Sequence, residues 1–256
     1  MRKFLFILCL VAISICAAGQ RRSLNQISLG FKGGVNFAGM AYTDRHLSKL
    51  PQQMPLRPVG GIFVDVPLSK HFGLAPELMY VERGMKTTYI HYSNYEVQYE
   101  IHSRYVDLRL PFLAGVNITS WMQSYLVVGV DAGWLLGGNI HLHQPGFPDP
   151  DTTIMIGKAN MRGLYLGVFG GVGIRFFREI KGQKAQLKID ATYNFDFVDT
   201  FTDMEHGDEA QPINLNAYNI TGKRFPKGIE ITLGITIPLR SGEDDACYSF
   251  SKNRWK

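Results

Sequence analysis

The first residues that could do chemistry are two histidines and two aspartates within one short segment. His141 and His143 are separated by one residue, and Asp149 and Asp151 follow them. Imidazole and carboxylate groups are common ligands of divalent metal ions. Three prolines interrupt the same segment, which is typical of a solvent-exposed loop and not of a rigid metal site. We therefore predict that no metal ion is bound here.

A run of acidic side chains between residues 203 and 209 is the second candidate site. Carboxylates at this density suit calcium, which could bridge the phosphates of lipopolysaccharide. A solvated charge run is the simpler interpretation, because like charges this close repel one another and stay hydrated. The residues concerned are Asp203, Glu205, His206, Asp208 and Glu209.

Catalysis would need a nucleophile or a general base with an oriented partner, and the sequence offers only fragments of such a site. His91 and His102 flank a short loop and could face each other across a hairpin, but no motif places a serine or a carboxylate beside them. The glycines of residues 167–173 are spaced as in a phosphate-binding loop, yet they lie inside a predicted strand with no helix after it. We predict no catalytic residue, no cofactor and no enzymatic activity.

The elements that must position these residues are strands. Between Ile229 and Leu239 every second residue is Ile or Leu, and most of the residues between them are small or polar. A period of two with many β-branched residues predicts a strand, whereas a helix would need a period near 3.6. The same pattern occurs seven more times. The eight predicted strands cover residues 27–40, 60–68, 73–92, 95–116, 125–138, 162–177, 185–201 and 229–239.

One of these strands changes parity. The apolar residues of the third predicted strand shift phase near Arg83 and Gly84, as a β-bulge would cause. Beyond the shift, Met85, Thr87 and Tyr89 continue the alternation.

These strands predict an all-β fold, an eight-stranded antiparallel up-and-down transmembrane β-barrel. Roughly forty large apolar side chains lie on one face, while the interior of an eight-stranded barrel holds about a dozen. The bulky face must therefore point outward, unlike that of a soluble lipocalin. Long and short connections alternate, as in outer-membrane barrels. Aromatic girdles are expected near the strand ends, at Tyr80, Phe112, Trp134 and Phe176.

The 256 residues divide into three predicted segments. Residues 1–19 form a cleaved signal peptide, with a basic start, an apolar core and small residues at the end; lipidation of Cys16 is the alternative. Residues 20–239 form the barrel, and residues 240–256 form a periplasmic C-terminal tail. Cys247 is the only cysteine beyond the leader, so no internal disulfide is expected. We predict an outer-membrane location in a Gram-negative bacterium, with both mature termini in the periplasm.

The polar face of the predicted strands carries charged side chains of both signs, which would meet in a narrow lumen. Charges buried there must pair or become neutral. The resulting network is either a plug that fixes strand register or a path for protons or ions, and the small lumen favours the plug. The predicted lumen network consists of Lys32, Asp65, Glu77, Asp107, Arg109, Asp131, Arg175, Lys188, Asp190 and Glu230.

The third and fourth predicted strands are about twice as long as a tilted strand needs to cross a bilayer. We therefore expect them to project beyond the membrane as a hairpin. Its outer part carries four tyrosines, a residue type frequent in binding surfaces: Tyr89, Tyr92, Tyr95 and Tyr99. The tyrosines either bind a partner or only stabilise a long ribbon.

Charge limits the classes of partner. The net charge of +5 is spread along the chain, so no basic groove for nucleic acid is expected. The predicted partners are outer-membrane lipid and lipopolysaccharide, with an extracellular ligand or an envelope protein as a further possibility. The barrel is expected to be monomeric.

Four segments resemble the PorT-like, porin-type outer-membrane β-barrel family of Bacteroidota. They are residues 28–37 (SLGFKGGVNF), residues 61–80 (GIFVDVPLSKHFGLAPELMY), residues 105–115 and residues 128–138. The resemblance implies a barrel and no catalytic residues, and some members of the family assist a type IX secretion system. The tail after residue 239 departs from the family pattern, in which the chain commonly stops at an aromatic-ended strand.

The predicted function is that of an outer-membrane barrel with a plugged lumen and a structural or adhesive role, exercised through its external loops and projecting hairpin. The first alternative, implied by the resemblance, is an accessory component of a type IX secretion system. The second alternative is a lipid-modifying enzyme with its site at the external rim.

Overall fold

The computed structural model describes residues 27–42, 52–69, 71–90, 96–143, 151–156, 163–180, 183–198 and 224–239, which form strands joined by short turns. The predicted signal peptide and tail, the acidic run 203–209, His91 and Asp149 lie outside these residues. The strands are β1 Ser28–Tyr42, β2 Gln52–Gln53, β3 Leu56–Pro67, β4 Phe72–Leu74, β5 Glu77–Ile90, β6 Glu96–Asn117, β7 Met122–His143, β8 Asp151–Ile156, β9 Leu164–Ile180, β10 Gln183–Asp196 and β11 Arg224–Pro238.

Eight of these strands close into a ring. The first strand, β1, pairs with β11 on one side and with β3 on the other. Around the ring, β3 pairs with β5, β5 with β6, β6 with β7, β7 with β9, β9 with β10 and β10 with β11, always antiparallel. The short strand β2 pairs with β5, and β8 pairs with β7. Strand β4 pairs with both β3 and β6. The predicted fold class, an eight-stranded up-and-down barrel, is confirmed.

The apolar face of each strand points outward. In β11, Ile229, Leu233 and Ile237 are about half exposed, while Glu230 and Thr236 between them are buried. Water-soluble proteins rarely present so large an apolar surface to the solvent. The outward face of this barrel therefore contacts lipid. Among the described residues there is no helix long and apolar enough to cross a membrane.

The outward apolar residues form a band around the barrel, which we call the lipid-facing belt. Its limits are clear on β6. Its outward residues are apolar from Val116 to Val106, about ten residues, which is the length a tilted strand needs to cross a bilayer. The next outward residue is Arg104, which is exposed. Tyr80 and Trp134 pair with Val106 from the two neighbouring strands and mark this edge of the belt.

Aromatic rings also mark the other edge of the belt, near the short connections. Trp121 stacks on Phe176 with ring centroids 6.0 Å apart, and Phe72 stacks on Phe112 at 5.6 Å. We call this end of the barrel the turn end and the opposite end the loop end. Aromatic girdles at both ends are typical of barrels that span a membrane.

The predicted β-bulge at Arg83 and Gly84 is wrong. Strands β5 and β6 pair without a register shift from Glu77 opposite Arg109 to Ile90 opposite Glu96. As a consequence, the odd-numbered residues of β5 beyond Glu77 all face the interior, and those whose side chains are described are buried. These residues are Met79, Val81, Arg83, Met85 and Thr87.

The register shift lies in β7 instead. Arg104 pairs with Gly137 and Tyr105 with Leu135, so Leu136 is the extra residue of a bulge. Gly137 has a φ of 145°, a backbone conformation that favours glycine. Beyond this bulge β7 continues to His143 and pairs with β8. The segment of His141 and His143, which the sequence indicated to be a loop, is therefore part of a hairpin.

Candidate functional site

The lumen contains a group of buried charges centred on Arg83. The guanidinium donates from Nη1 to Asp196 Oδ2 and from Nη2 to the hydroxyl of Tyr165. Nη2 also lies 3.1 Å from Asp107 Oδ2 and 3.3 Å from Asp131 Oδ2. Strands β5, β6, β7, β9 and β10 each contribute one of these residues, so one guanidinium ties five strands together.

A second guanidinium extends this group across the lumen. Arg109 donates to both oxygens of Glu230, at 2.6 and 2.8 Å, in the bidentate geometry that arginine favours with carboxylates. It also donates to Asp107 Oδ2 at 3.1 Å, which joins it to Arg83. We call the whole group the Arg83 cluster. It consists of Arg83, Asp107, Arg109, Asp131, Tyr165, Asp196 and Glu230.

A smaller group of charges lies nearer the turn end. Asp65 Oδ2 is 2.9 Å from Lys188 Nζ and 3.3 Å from an Arg175 guanidinium nitrogen. Both cations also lie over aromatic faces, Lys188 over Phe63 at 4.7 Å and Arg175 over Tyr125 at 5.4 Å. We call Asp65, Arg175 and Lys188 the Asp65 cluster.

Lys32 forms a third group between these two clusters. Its Nζ is 2.6 Å from Glu77 Oε1 and 3.2 Å from Asp190 Oδ2. Tyr125 donates its hydroxyl hydrogen to the other oxygen of Asp190. A cavity of about 20 Å³, room for one or two water molecules, adjoins Lys32, Glu77 and Asp190.

Glycines make room for the lumen carboxylates. A Cβ on Gly167 would lie 2.5 Å from Asp131 Oδ1 and 2.7 Å from Asp196 Oδ1, closer than real Cβ contacts allow. Gly167 is the cross-strand partner of both aspartates. The glycine-rich segment 167–173 is therefore part of the barrel packing, and it lies within a strand.

All ten residues of the predicted lumen network point to the interior. Hydrogen bonds and ion pairs divide them into the three groups above, where the sequence suggested a single network. Three further members of the Arg83 cluster were missed: Arg83, Tyr165 and Asp196. The predicted bulge left Arg83 at the point of the parity change, without an assigned face. Tyr165 and Asp196 lie on the polar face of their predicted strands, so the alternation alone could have found them.

Parts of five strands lie above the lipid-facing belt and form what we call the projecting sheet: β2, residues 82–90 of β5, 96–104 of β6, 136–143 of β7, and β8. Its inner face is mainly apolar and closely packed. Met85, Ile101 and Ile140 are at most 2% exposed. Its outer face is mainly polar, apart from the exposed Leu136 and Met155, so the polarity of the two faces is largely the reverse of that in the belt.

The outer face carries a hydrogen-bonded group directly above the girdle. His102 Nε2 donates to Glu82 Oε2 at 2.7 Å, and the Tyr80 hydroxyl donates to Glu82 Oε1 at 2.7 Å. Burial would raise the pKa of the Glu82 carboxyl, but these two hydrogen bonds and the electrostatic influence of the nearby His102 and Arg104 lower it below its ordinary value. His102 thus has a carboxylate partner that no sequence motif indicated. His91 lies outside the described residues.

The histidines of the first candidate metal site lie on the same outer face. His141 Nδ1 is 2.8 Å from Thr153 Oγ1, and His143 Nδ1 is 2.5 Å from Asp151 Oδ1. In the described part of the chain, no three His, Cys, Asp or Glu side chains are placed to hold a metal ion together. These contacts connect β7 to β8 and stabilise the hairpin.

The predicted tyrosine hairpin is described only in part. The backbone of Tyr89 pairs with Val97 and that of Tyr99 with Thr87. Tyr92 and Tyr95 lie outside the described residues. A binding role for the four tyrosines stays a prediction.

Residues 18–202 match the family model described as outer membrane protein beta-barrel domain. Similar solved structures include Neisserial surface protein A, which is 10% identical over 83% of this chain and 97% of that one, with a TM-score of 0.35. The outer membrane protein OprG from Pseudomonas aeruginosa is 11% identical over 84% of this chain and 95% of that one, with a TM-score of 0.39. Ail, the attachment invasion locus protein of Yersinia pestis, is 8% identical over 83% of this chain and 98% of that one, with a TM-score of 0.33. No curated protein sequence matches the chain.

Proposed function

The chain belongs to the family of outer membrane protein β-barrel domains, and from that membership we propose that it is a non-enzymatic binding or structural protein of the outer membrane. The turn end and both mature termini face the periplasm, and the projecting sheet faces the exterior. The partner is an extracellular ligand or another envelope protein, and it contacts the projecting sheet.

The observation that carries this proposal is that the inner face of the projecting sheet is closely packed and that side chains of β1 and β3 contact the sheet. Its inner side chains are buried, and Asn36 Nδ2 of β1 donates to the main-chain oxygen of Glu82 at 3.1 Å. Arg57 of β3 forms an ion pair of 2.6 Å with Glu100 of β6. A pre-organised surface loses little conformational entropy on binding, which favours a sheet of this kind over a mobile loop as a contact surface.

The lumen has a structural role in this proposal. The three charged groups join strands that are not neighbours, since Arg109 of β6 reaches Glu230 of β11 and Lys32 of β1 reaches Asp190 of β10. Such contacts fix the position of each strand relative to the strands across the barrel. A plug of paired side chains supports a structural role over a conducting one.

Site-specific photo-crosslinking in intact cells tests the binding surface. A crosslinking residue at Gln98, on the outer face of the projecting sheet, is expected to trap an extracellular or envelope partner. The matched control carries the same residue at Ile118, in an exposed turn at the opposite end of the barrel. Adducts at Gln98 but not at Ile118 support the proposal.

The same pair of positions separates the alternatives. Protein adducts at Ile118 alone would favour the accessory role in a type IX secretion system, whose partners are reached from the periplasm. An enzyme acting on lipids would instead change the lipid A of a strain that overproduces the protein, and this change would be lost in a His102→Gln variant. Either result would replace the proposed function.

A further inference from the structure

The wall of the barrel contains two prolines on neighbouring strands within the lipid-facing belt. Pro76 lies between β4 and β5, and Pro111 lies within β6. Proline has no main-chain N–H, and within sheets it is normally confined to edge strands, strand ends and bulges. In the middle of a membrane-spanning wall it is costly, because hydrocarbon offers no water to replace a missing hydrogen bond.

Each proline removes one hydrogen bond between the strands. The amide of Val64 donates to the main-chain oxygen of Pro76 at 3.0 Å, and the amide of Ala75 donates to that of Pro111 at 3.1 Å. Residues of such an antiparallel pair normally exchange two hydrogen bonds. Here the return bond cannot form, because neither proline has an N–H to donate. The main-chain oxygens of Val64 and Ala75 therefore lose their cross-strand donors.

The pairing of β3 with its neighbour is also short. Residues 59–63 of β3 pair with β5, and only Val66 and Pro67 pair with β4. By contrast, residues 186–195 of β10 pair with β11 without interruption. The pairing of β3 with β5 is the shortest between neighbouring strands of the ring in the described part of the chain. We call the contact of β3 with β4 and β5 the proline seam.

Two side chains of β1 cross the proline seam on the lumen side. Lys32 Nζ lies 2.6 Å from Glu77 Oε1 of β5 and 5.9 Å from the centroid of the Phe63 ring of β3. Nearer the loop end, Asn36 Nδ2 donates to the main-chain oxygen of Glu82 of β5 at 3.1 Å. Both contacts join β1 to β5, so they pass over β3 and connect the two sides of the seam where main-chain bonds are missing.

We propose that the Lys32–Glu77 ion pair is a latch on the proline seam, and that the barrel wall opens first at this seam when the latch is broken. The missing main-chain bonds lower the cost of separating β3 from β5 locally. The ion pair raises that cost, because both side chains are buried and water screens them little. Lys32 also lies 3.2 Å from Asp190 Oδ2 of β10, so neutralising Glu77 releases the seam without leaving Lys32 unpaired.

Hydrogen–deuterium exchange of the full chain, refolded in detergent and followed by NMR at single residues, tests the proposal. In the wild type, the amides of Val64 and Ala75 should exchange about tenfold faster than the belt amides of β10, since local opening breaks fewer hydrogen bonds at the seam. Glu77→Gln should speed exchange at these two amides by a further factor of about ten and leave β10 unchanged.

Glu230→Gln is the matched control for Glu77→Gln. Glu230 is also a buried lumen carboxylate, but its partner Arg109 lies on β6, and the contact does not pass over β3 alone. This variant should not speed exchange at Val64 and Ala75 more than elsewhere. Uniform exchange around the ring in the wild type, or equal acceleration around the ring in Glu77→Gln, overturns the proposal.

Pro76→Ala gives a test of opposite sign, which remains decisive if Glu77→Gln fails to fold. The new N–H can donate to the main-chain oxygen of Val64, so exchange at the seam should slow by about fivefold, the effect of one hydrogen bond. Pro67→Ala is the matched control, because the nitrogen of residue 67 points towards β1 beyond their last pair, at Asp65. It should leave exchange at the seam unchanged. Exchange that Pro76→Ala does not slow overturns the proposal.

Discussion

The Arg83 cluster and the Asp65 cluster lie in the same lumen but have opposite charge balance. In the Asp65 cluster one carboxylate serves two cations, Arg175 and Lys188. In the Arg83 cluster one guanidinium serves three carboxylates. In both cases a single side chain connects strands that are not neighbours. The comparison shows that the lumen is built around shared central charges, so the loss of one central residue leaves several buried charges unpaired at once.

The two clusters also differ in their access to water. The Arg83 side chain is 5% exposed and its three aspartates are fully buried. The Arg175 side chain, near the turn end, is 11% exposed. A long cationic side chain near an opening can move its charged end towards water. Unpaired charges should therefore cost less in the Asp65 cluster than in the Arg83 cluster.

The largest effect is expected from Arg83→Met. This substitution leaves three buried carboxylates facing one another, and removal of one partner of a buried ion pair costs about 3–5 kcal/mol. The free energy of unfolding, measured by urea titration with the heat-modifiable gel shift, should fall by at least that amount. Arg104→Met is the matched control, because Arg104 is exposed on the outer face of the same sheet, and it should change stability by less than about 0.5 kcal/mol. Equal losses in the two variants would contradict a central role for Arg83.

A smaller loss is expected from Asp65→Asn. It leaves Arg175 and Lys188 without their shared carboxylate, but partial hydration limits the loss of unfolding free energy to about 2–3 kcal/mol. Lys188→Met should cost less than Asp65→Asn, because Asp65 keeps Arg175 as its partner. If Asp65→Asn proved more damaging than Arg83→Met, the proposed difference in water access would be wrong.

The packing of the lumen near the turn end can be tested by adding one methyl group to an interior glycine. Gly173→Ala would press a Cβ against Asp190 Oδ1 and the Tyr125 ring, and overpacking of this kind costs about 1–3 kcal/mol. Gly170→Ala is the matched control on the same strand, since its nearest neighbour would be 3.7 Å away. Urea titration of the two variants should show a loss only for Gly173→Ala. A loss of similar size for both would point to strand propensity and not to packing in the lumen.

The alternation of the sequence predicted most of the barrel, for a physical reason. Within the belt, lipid requires an apolar outer face and the narrow lumen leaves room only for glycine and paired polar groups. A period of two then assigns every residue to a face. The inward positions of Asp107, Asp131 and Lys188 follow directly from this rule.

The rule fails where β5 leaves the membrane. Outside the belt, water contacts the outer face and the apolar residues turn inward, so the polarity of the faces reverses although the backbone register continues. Glu82 faces out while Val81 and Met85 face in. A reversal of polarity and a β-bulge produce the same shift of phase in the sequence. Only the pairing of β5 with β6 distinguishes them.

The distances between charged groups could not be predicted at all, because they depend on which strands face one another across the lumen. Arg109 and Glu230 are 121 residues apart in the chain, and their bidentate contact follows from the closure of the ring. Strand alternation identifies the residues that point inward. It does not specify which of them meet.

The smallest effect is expected from Glu82, a charged residue outside the lumen. It tests whether an ion pair close to water contributes less to stability than the buried clusters do. Because the folded state lowers the pKa of Glu82, this carboxyl stabilises the protein above its ordinary pKa of about 4.5 and ceases to do so as the pH falls through the folded value. Unfolding free energies at pH 6 and pH 3.5 should therefore differ less in Glu82→Gln than in the wild type. The change should not exceed about 1 kcal/mol, since the group is near the surface. His102→Leu removes one of the two hydrogen bonds and should abolish part of this difference. A pH dependence unaltered by Glu82→Gln would show that the contact contributes nothing and that only the buried clusters matter.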